Sequence, residues 1–164
     1  MVIHDLLLEE LEAEALKTRK TLERVPAAQA EFRSHAKSTT LGKLAAHVAQ
    51  LGGFGVAILT QPKLDFATAG IKPLPFESVP KLLAAFDEGQ AAVRAALGKA
   101  GDAAWQESWT LCMGEQIFFR GSRFLAYRTM FVNHIVHHRA QLGVYLRLLN
   151  LAVPSIYGPS ADEH

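Results

Sequence analysis

The chain of 164 residues contains a single cysteine, Cys112, so no disulfide can form within it. That scarcity fits a reducing compartment, and a cytoplasmic location is expected. An excess of charge is also missing: 17 basic and 16 acidic residues leave a formal net charge of +1. Proteins that bind nucleic acid usually carry a clear basic excess, because phosphate neutralisation dominates their affinity. No nucleic-acid partner is therefore expected. No unbroken apolar run approaches the roughly 20 residues that span a bilayer. The start, "MVIHDLLLEELEAEALK", is acidic where a secretory signal would be basic. No membrane partner is expected either. Charge runs, low-complexity tracts, internal repeats and convincing strand alternation are all absent.

What remains is 49% hydrophobic and 20% charged, long enough for one domain over residues 1–164 with a proper core. Four segments have helical period. The first covers about residues 3–24, with Leu7, Leu8, Leu11, Ala15 and Leu22 on one face, and Val25-Pro26 ends it. The second starts near "STTLGKLAAH", where Ser38, Thr39 or Thr40 can cap the free N–H groups, and carries Leu44, Val48, Leu51, Gly55 and Ile58. Its glycines, Gly42, Gly52, Gly53 and Gly55, cost helix stability but permit close approach of another backbone or a ligand. The third covers about residues 79–97, from Ser78 as a cap to Gly98. The last runs over about residues 121–150. Residues 60–78 and 101–120 are long connectors, the second with room for a short hairpin. Pro154, Gly158 and Pro159 mark an irregular tail. The pattern predicts an all-α four-helix bundle, and the long connectors leave the helix order open.

Residues 133–141, "NHIVHHRAQ", crowd three histidines into five positions. Each residue turns a helix by about 100°. With His134 at zero, the apolar stripe of the last helix, made by Phe124, Phe131, Leu142, Tyr145 and Leu149, centres near about 60°, His138 falls at about 40° and His137 at about −60°. His138 therefore points inward, His134 lies on the edge side of the stripe, and His137 points away. On the second helix His47 lies among Leu44, Leu51 and Ile58 and also faces the interior. Side chains at i and i+4 are neighbours and can share a metal, as in the H-x-x-x-H half of zinc sites. His47 would complete a three-nitrogen set with coordination positions left open, which is the pattern of a catalytic metal. Imidazole suits Zn, Ni, Fe or Cu. Taken singly, a buried histidine such as His47 is more often a satisfied core residue, and H-x-x-x-H alone is a weak signal; it is the three inward positions together that suggest a site.

Other residues admit two readings each. Gln141 can support a ligand histidine or lie on the surface. Gln90, in the middle of the third stripe, can line a pocket or make a buried hydrogen bond. Arg120, Arg123, Arg128 and Arg139 read most simply as a solvated face. Trp105 and Trp109 read as packing, and Cys112 as a small apolar residue with no base beside it. His4, His35 and His164 have no partners at ligand spacing. Tyr157 can cover a pocket mouth.

The lone histidine of "LGKLAAHVAQ", the segment "NHIVHHRAQLGVYLR" and the tail "VPSIYGPSADE" together resemble the DinB-like (DinB/YfiT) family over nearly the whole chain. The resemblance implies a four-helix bundle of up-down-down-up topology, often a homodimer. It implies a divalent metal held by three histidines, which by motif are His47, His134 and His138. Zinc or nickel is expected first, with iron or manganese next. Some relatives transfer or isomerise thiol adducts, so the resemblance implies a small-molecule substrate, a thiol or thiol conjugate among the candidates. Ala140 stands where relatives often have glycine. A metal-dependent enzyme, transferase-like or hydrolase-like, is the expected function. The alternative is a non-catalytic helical bundle that binds a ligand or partner.

Overall fold

The computed structural model describes residues 3–164. Helix α1, Ile3–Leu22, buries Leu7, Leu11 and Leu22. Helices α2, Leu41–Gln50, and α3, Gly52–Thr60, follow one another with only Leu51 between them. Strand β1, Lys63–Asp65, lies in the first connector, and α4 covers Val79–Leu97. Strands β2, Ser108–Met113, and β3, Gln116–Ser122, form a hairpin. The last helix opens as α5, Arg123–Ala126, passes through a π-helical stretch, Tyr127–Val132, and continues as α6, Asn133–Leu148. Caps explain the starts. Thr40 accepts from the Lys43 N–H and Ser78 from the Lys81 N–H, each satisfying a donor that the first turn leaves free.

The core divides into two clusters that fix the helix directions. One joins Leu7 and Leu11 of α1 to Ile58, Val93, Leu97, Phe131 and Ile135. The other joins Leu22 to Leu41, Leu44, Leu82, Phe86, Leu142 and Tyr145. The start of α1 thus meets the ends of α3 and α4 and the start of the last helix. The chain runs up, down, down, up. The parallel descent of α2–α3 and α4 requires the long return over residues 61–78, so the topology explains the connector. By length and composition Leu41–Thr60 is apolar enough to cross a bilayer, contrary to the sequence expectation. Its apolar window is 67% buried inside the bundle, so the same apolarity serves the core.

The connectors build a small sheet in the order β1-β2-β3, β1 parallel and β3 antiparallel to β2. The expected hairpin is present, but it extends to Ser122 and delays the last helix to Arg123. The turn needs Gly114, whose φ is +58°. Asp65 ties the layers together: its Oδ1 accepts from the N–H groups of Ala67 and Gly114, both at 3.0 Å. Those bonds hold its carboxyl below the usual range.

Two arginines assigned to a solvated face are buried. Arg139 is 3% exposed and lies 2.7 Å from the Glu14 carboxylate. Arg123 is 6% exposed and donates to Glu107 Oε2 at 2.8 Å and to the Gln61 carbonyl at 3.0 Å. Each is paired and hydrogen-bonded, which is the condition for burying a charge. Periodicity cannot show this, because the partners come from distant segments.

Helices α3 and α4 approach closely at Gly52 and Gly89. A Cβ on Gly52 would stand 2.7 Å from Gly89 Cα and 2.9 Å from its carbonyl oxygen, and backbone cannot swing aside as a side chain can. Gly53, the next residue, faces nothing within 4 Å. Gly52→Ala should therefore destabilise the bundle by about 1–3 kcal/mol through overpacking. Gly53→Ala should be neutral or stabilise by up to about 1 kcal/mol through helix propensity. Urea unfolding of both variants checks the pair, and equal effects would contradict the packing described.

Candidate metal centre

The antiparallel neighbours α2 and α6 carry the histidines that the helix geometry selected. His47 Nε2 lies 3.2 Å from His134 Nε2, which in turn lies 2.9 Å from His138 Nε2. One ring nitrogen from each of the three falls within 4.8 Å of the others. His137 is exposed and outside the group, as its helical angle predicts. The stripe of the last helix sits differently from expectation. Ile135, Arg139, Leu142 and Leu146 are buried, which moves its centre beyond His138. Both histidines therefore lie on the lip of the core, half-buried, where a ligand can reach them. Phe124, expected in the stripe, is 40% exposed. A π-helix carries more residues per turn than 3.6, so the stretch at Tyr127–Val132 rotates the preceding turn out of register.

The outer ring nitrogens determine what the inner ones can do. His134 Nδ1 is 3.3 Å from the Met130 carbonyl, and His138 Nδ1 is 2.7 Å from Gln141 Oε1. Both oxygens only accept, so both Nδ1 atoms donate and carry the proton of the neutral ring. Each Nε2 then presents a lone pair inward, and two lone pairs face one another across 2.9 Å. That arrangement is repulsive unless a cation sits between them. Ligands about 2.0–2.1 Å from a common ion, as in zinc–imidazole sites, stand roughly 2.8–3.4 Å apart for angles between about 90° and 109°, so the separations of 2.9 and 3.2 Å fit a divalent metal. Gln141 is thus the supporting partner that the sequence allowed.

The surroundings keep the rings neutral. Burial, then the neighbouring His138 and His134, push His47 down to about 4. Burial also lowers His134 and His138, against hydrogen bonds to the Met130 carbonyl and the Gln141 amide oxygen that pull upward.

A cavity of about 790 Å³ opens from His47 and Phe54 and runs between α3 and the connectors. Sequence reasoning missed its walls. Phe66 and Ile71 come from the first connector and Met113 from the hairpin, none of them at a helical spacing. Gln50 was missed as well, although it lies one turn after His47. Its amide donates to the Lys72 carbonyl at 2.6 Å and accepts from the Leu74 N–H at 3.0 Å, pinning the connector beside the histidines. Two other expectations change. Gln90 is buried beside Phe131 and Ile135, lines only a void of about 10 Å³, and its Nε2 has no partner. Tyr157 covers no mouth of this cavity. Its hydroxyl donates to Glu14 Oε2 at 2.8 Å and accepts from Arg139 at 2.6 Å, on the opposite face of α6.

The DinB family model matches residues 1–164. No curated protein matches the sequence. Solved structures match the fold. A DinB-like protein of Bacillus cereus has a TM-score of 0.68 at 21% identity, covering 92% of this chain and 95% of that one. A DinB-like protein of Bacillus subtilis has a TM-score of 0.72 at 12% identity, covering 94% and 99%. YfiT of Bacillus subtilis, described as a probable metal-dependent hydrolase with an unusual four-helix bundle topology, has a TM-score of 0.66 at 17% identity, covering 91% and 89%.

The depressed imidazoles set a pH dependence. An unfolded histidine takes its proton near pH 6.5, whereas folded His47 refuses it until about pH 4. Between those values the unfolded state binds more protons, so stability of the metal-free protein falls as pH drops through that window and is unaffected by His47 above it. An NMR titration of the imidazole Hε1 signals checks this: the His47 signal should move well below pH 6.5, and a midpoint at or above 6.5 would contradict the site described.

Proposed function

Because the chain belongs to the DinB family, we propose that it is a metal-dependent enzyme acting on a small molecule at His47, His134 and His138. The observation that carries this is the pair of inward lone pairs 2.9 Å apart, held that way by proton donation at both Nδ1 atoms. A divalent ion bound there would act as a Lewis acid and lower the pKa of a coordinated water or thiol. Zinc or nickel suits the all-nitrogen donor set best, ahead of iron or manganese. The chain's own residues do the rest. Met130 and Gln141 fix the ring tautomers. Gln50 holds the connector against the centre, and Phe54 covers one side of His134.

Hydrolysis is the reaction we favour, supported by the fold shared with YfiT, described as a probable metal-dependent hydrolase. Transfer to or from a thiol or thiol conjugate is the second reading, supported by the sequence resemblance and by a three-ligand site that leaves positions for a sulfur donor. The reading extends to a cytoplasmic homodimer without nucleic-acid or membrane partners, consistent with a net charge of +1 and one buried cysteine.

Neighbouring substitutions test the proposal. His138→Ala should lose most bound metal, and hydrolysis of a p-nitrophenyl ester by the zinc-loaded protein should fall at least 100-fold. His137→Ala should keep both close to wild type, with a stability change of about 0.5 kcal/mol or less. Elemental analysis after identical dialysis, with circular dichroism to confirm folding, gives the result. Metal retained in His138→Ala and lost in His137→Ala would overturn the assignment.

A further inference from the structure

The cavity beside the histidines has a character that the metal centre alone does not require. Its walls include Phe54, Ala57, Leu64, Phe66, Ile71 and Met113. A stepped aromatic series leads outward from the centre. The His134 and Phe54 rings meet edge to face at 6.0 Å, as do Phe54 and Phe66 at 5.9 Å, and Phe66 and Phe118 lie tilted at 6.4 Å. At the outer end Met113, Phe118 and Ile71 are 51%, 49% and 48% exposed. Large apolar side chains gathered around an opening, and not scattered, mark a binding surface. The volume of about 790 Å³ lies within the range of roughly 300–1,000 Å³ for small-molecule sites. A small polar substrate would leave most of these walls wet.

The charges add a constraint. Among the described residues no carboxylate lines this cavity; besides His47, its one ionisable lining side chain is Lys72, and its other polar side chains are Gln50 and Gln61. A cationic group seated there would lose its hydration with no anion to replace it. An uncharged one meets no such penalty, and an anionic one has Lys72 as a partner. Met113 and the aromatic edges are adaptable contacts, suited to an aryl or bulky alkyl group of variable shape.

We propose that this cavity takes an uncharged or anionic aryl or bulky apolar group, so that the substrate of the histidine centre carries such a group next to its reacting bond. The second clause rests on the function proposed above; the first stands on the cavity itself.

Calorimetry with 3-phenylpropionohydroxamate, acetohydroxamate and a para-trimethylammonium derivative of the former tests the proposal on zinc-loaded protein. The phenyl probe should bind at least tenfold more tightly than acetohydroxamate, and the cationic derivative at least tenfold more weakly than the phenyl probe. Phe66→Ala should reduce the phenyl preference to less than threefold while acetohydroxamate affinity stays within twofold. Met113→Glu, at an exposed rim position that the fold does not need, should do the same. Equal affinities for the phenyl and methyl probes in the wild type would overturn the proposal, as would a cationic derivative that binds as well as its parent. Saturation-transfer NMR with 3-phenylpropanol on metal-free protein separates the two readings. Phe66-dependent binding of that alcohol, with no binding of any hydroxamate after zinc treatment, supports the cavity assignment and contradicts the metal centre. Hydroxamate binding with no phenyl preference, and no alcohol binding, supports the metal centre and overturns the cavity assignment.

Discussion

Two imidazole nitrogens that must both keep their lone pairs stand 2.9 Å apart, and the rest of the site follows from that constraint. The Met130 carbonyl and the Gln141 amide oxygen each accept a proton from an outer nitrogen, so neither ring can relieve the contact by changing tautomer. Protonating an inner nitrogen would relieve it, but burial opposes charge on His134 and His138 and holds His47 at about 4. A bound cation meets all three conditions. The up-down-down-up path supplies the third ligand, because it sets α2 antiparallel to α6 and brings His47 level with His134.

The two faces of the last helix do different work. On the histidine side the connectors form a cavity with soft, partly exposed apolar walls, pinned by Gln50 and by the bonds from Ala67 and Gly114 to Asp65. On the far side Arg139, adjacent to His138 in sequence, is clamped by Glu14, Thr18 and Tyr157. Burial alone would raise the Glu14 carboxyl, but hydrogen bonds from Tyr157, Lys17 and Arg139 hold it below its usual value. A buried charge of this kind is costly to strip of its partners, so the cluster fixes the rotation of α6 about its axis. That rotation is what aims His134 and His138 at His47. The tail, through Tyr157, contributes to the aim without approaching the site.

Much of this was legible in the sequence wherever a helix runs straight. A step of about 100° per residue separates His138 from His137 and turns His47 inward, and the caps at Thr40 and Ser78 follow from hydroxyls placed before apolar runs. Legibility failed where long-range partners or irregular backbone intervene. Arg139 looks solvated until Glu14 and Tyr157 are brought to it. Phe124 drops out of its stripe because the π-helical stretch breaks the 3.6-residue period. Strand β1 has three residues, too few for alternation to register, and exists only because β2 offers it an edge. The cavity walls come from three separate segments, so no local pattern announces them.

The central claim is that three imidazoles and no carboxylate hold one divalent ion. X-ray absorption at the zinc edge, on protein loaded with one equivalent, tests it most directly. The account predicts three imidazole nitrogens at about 2.0–2.1 Å, with the multiple-scattering signature of the rings, and at least one exchangeable oxygen donor. A shell dominated by oxygen, or one that contains fewer than three imidazoles, would contradict it.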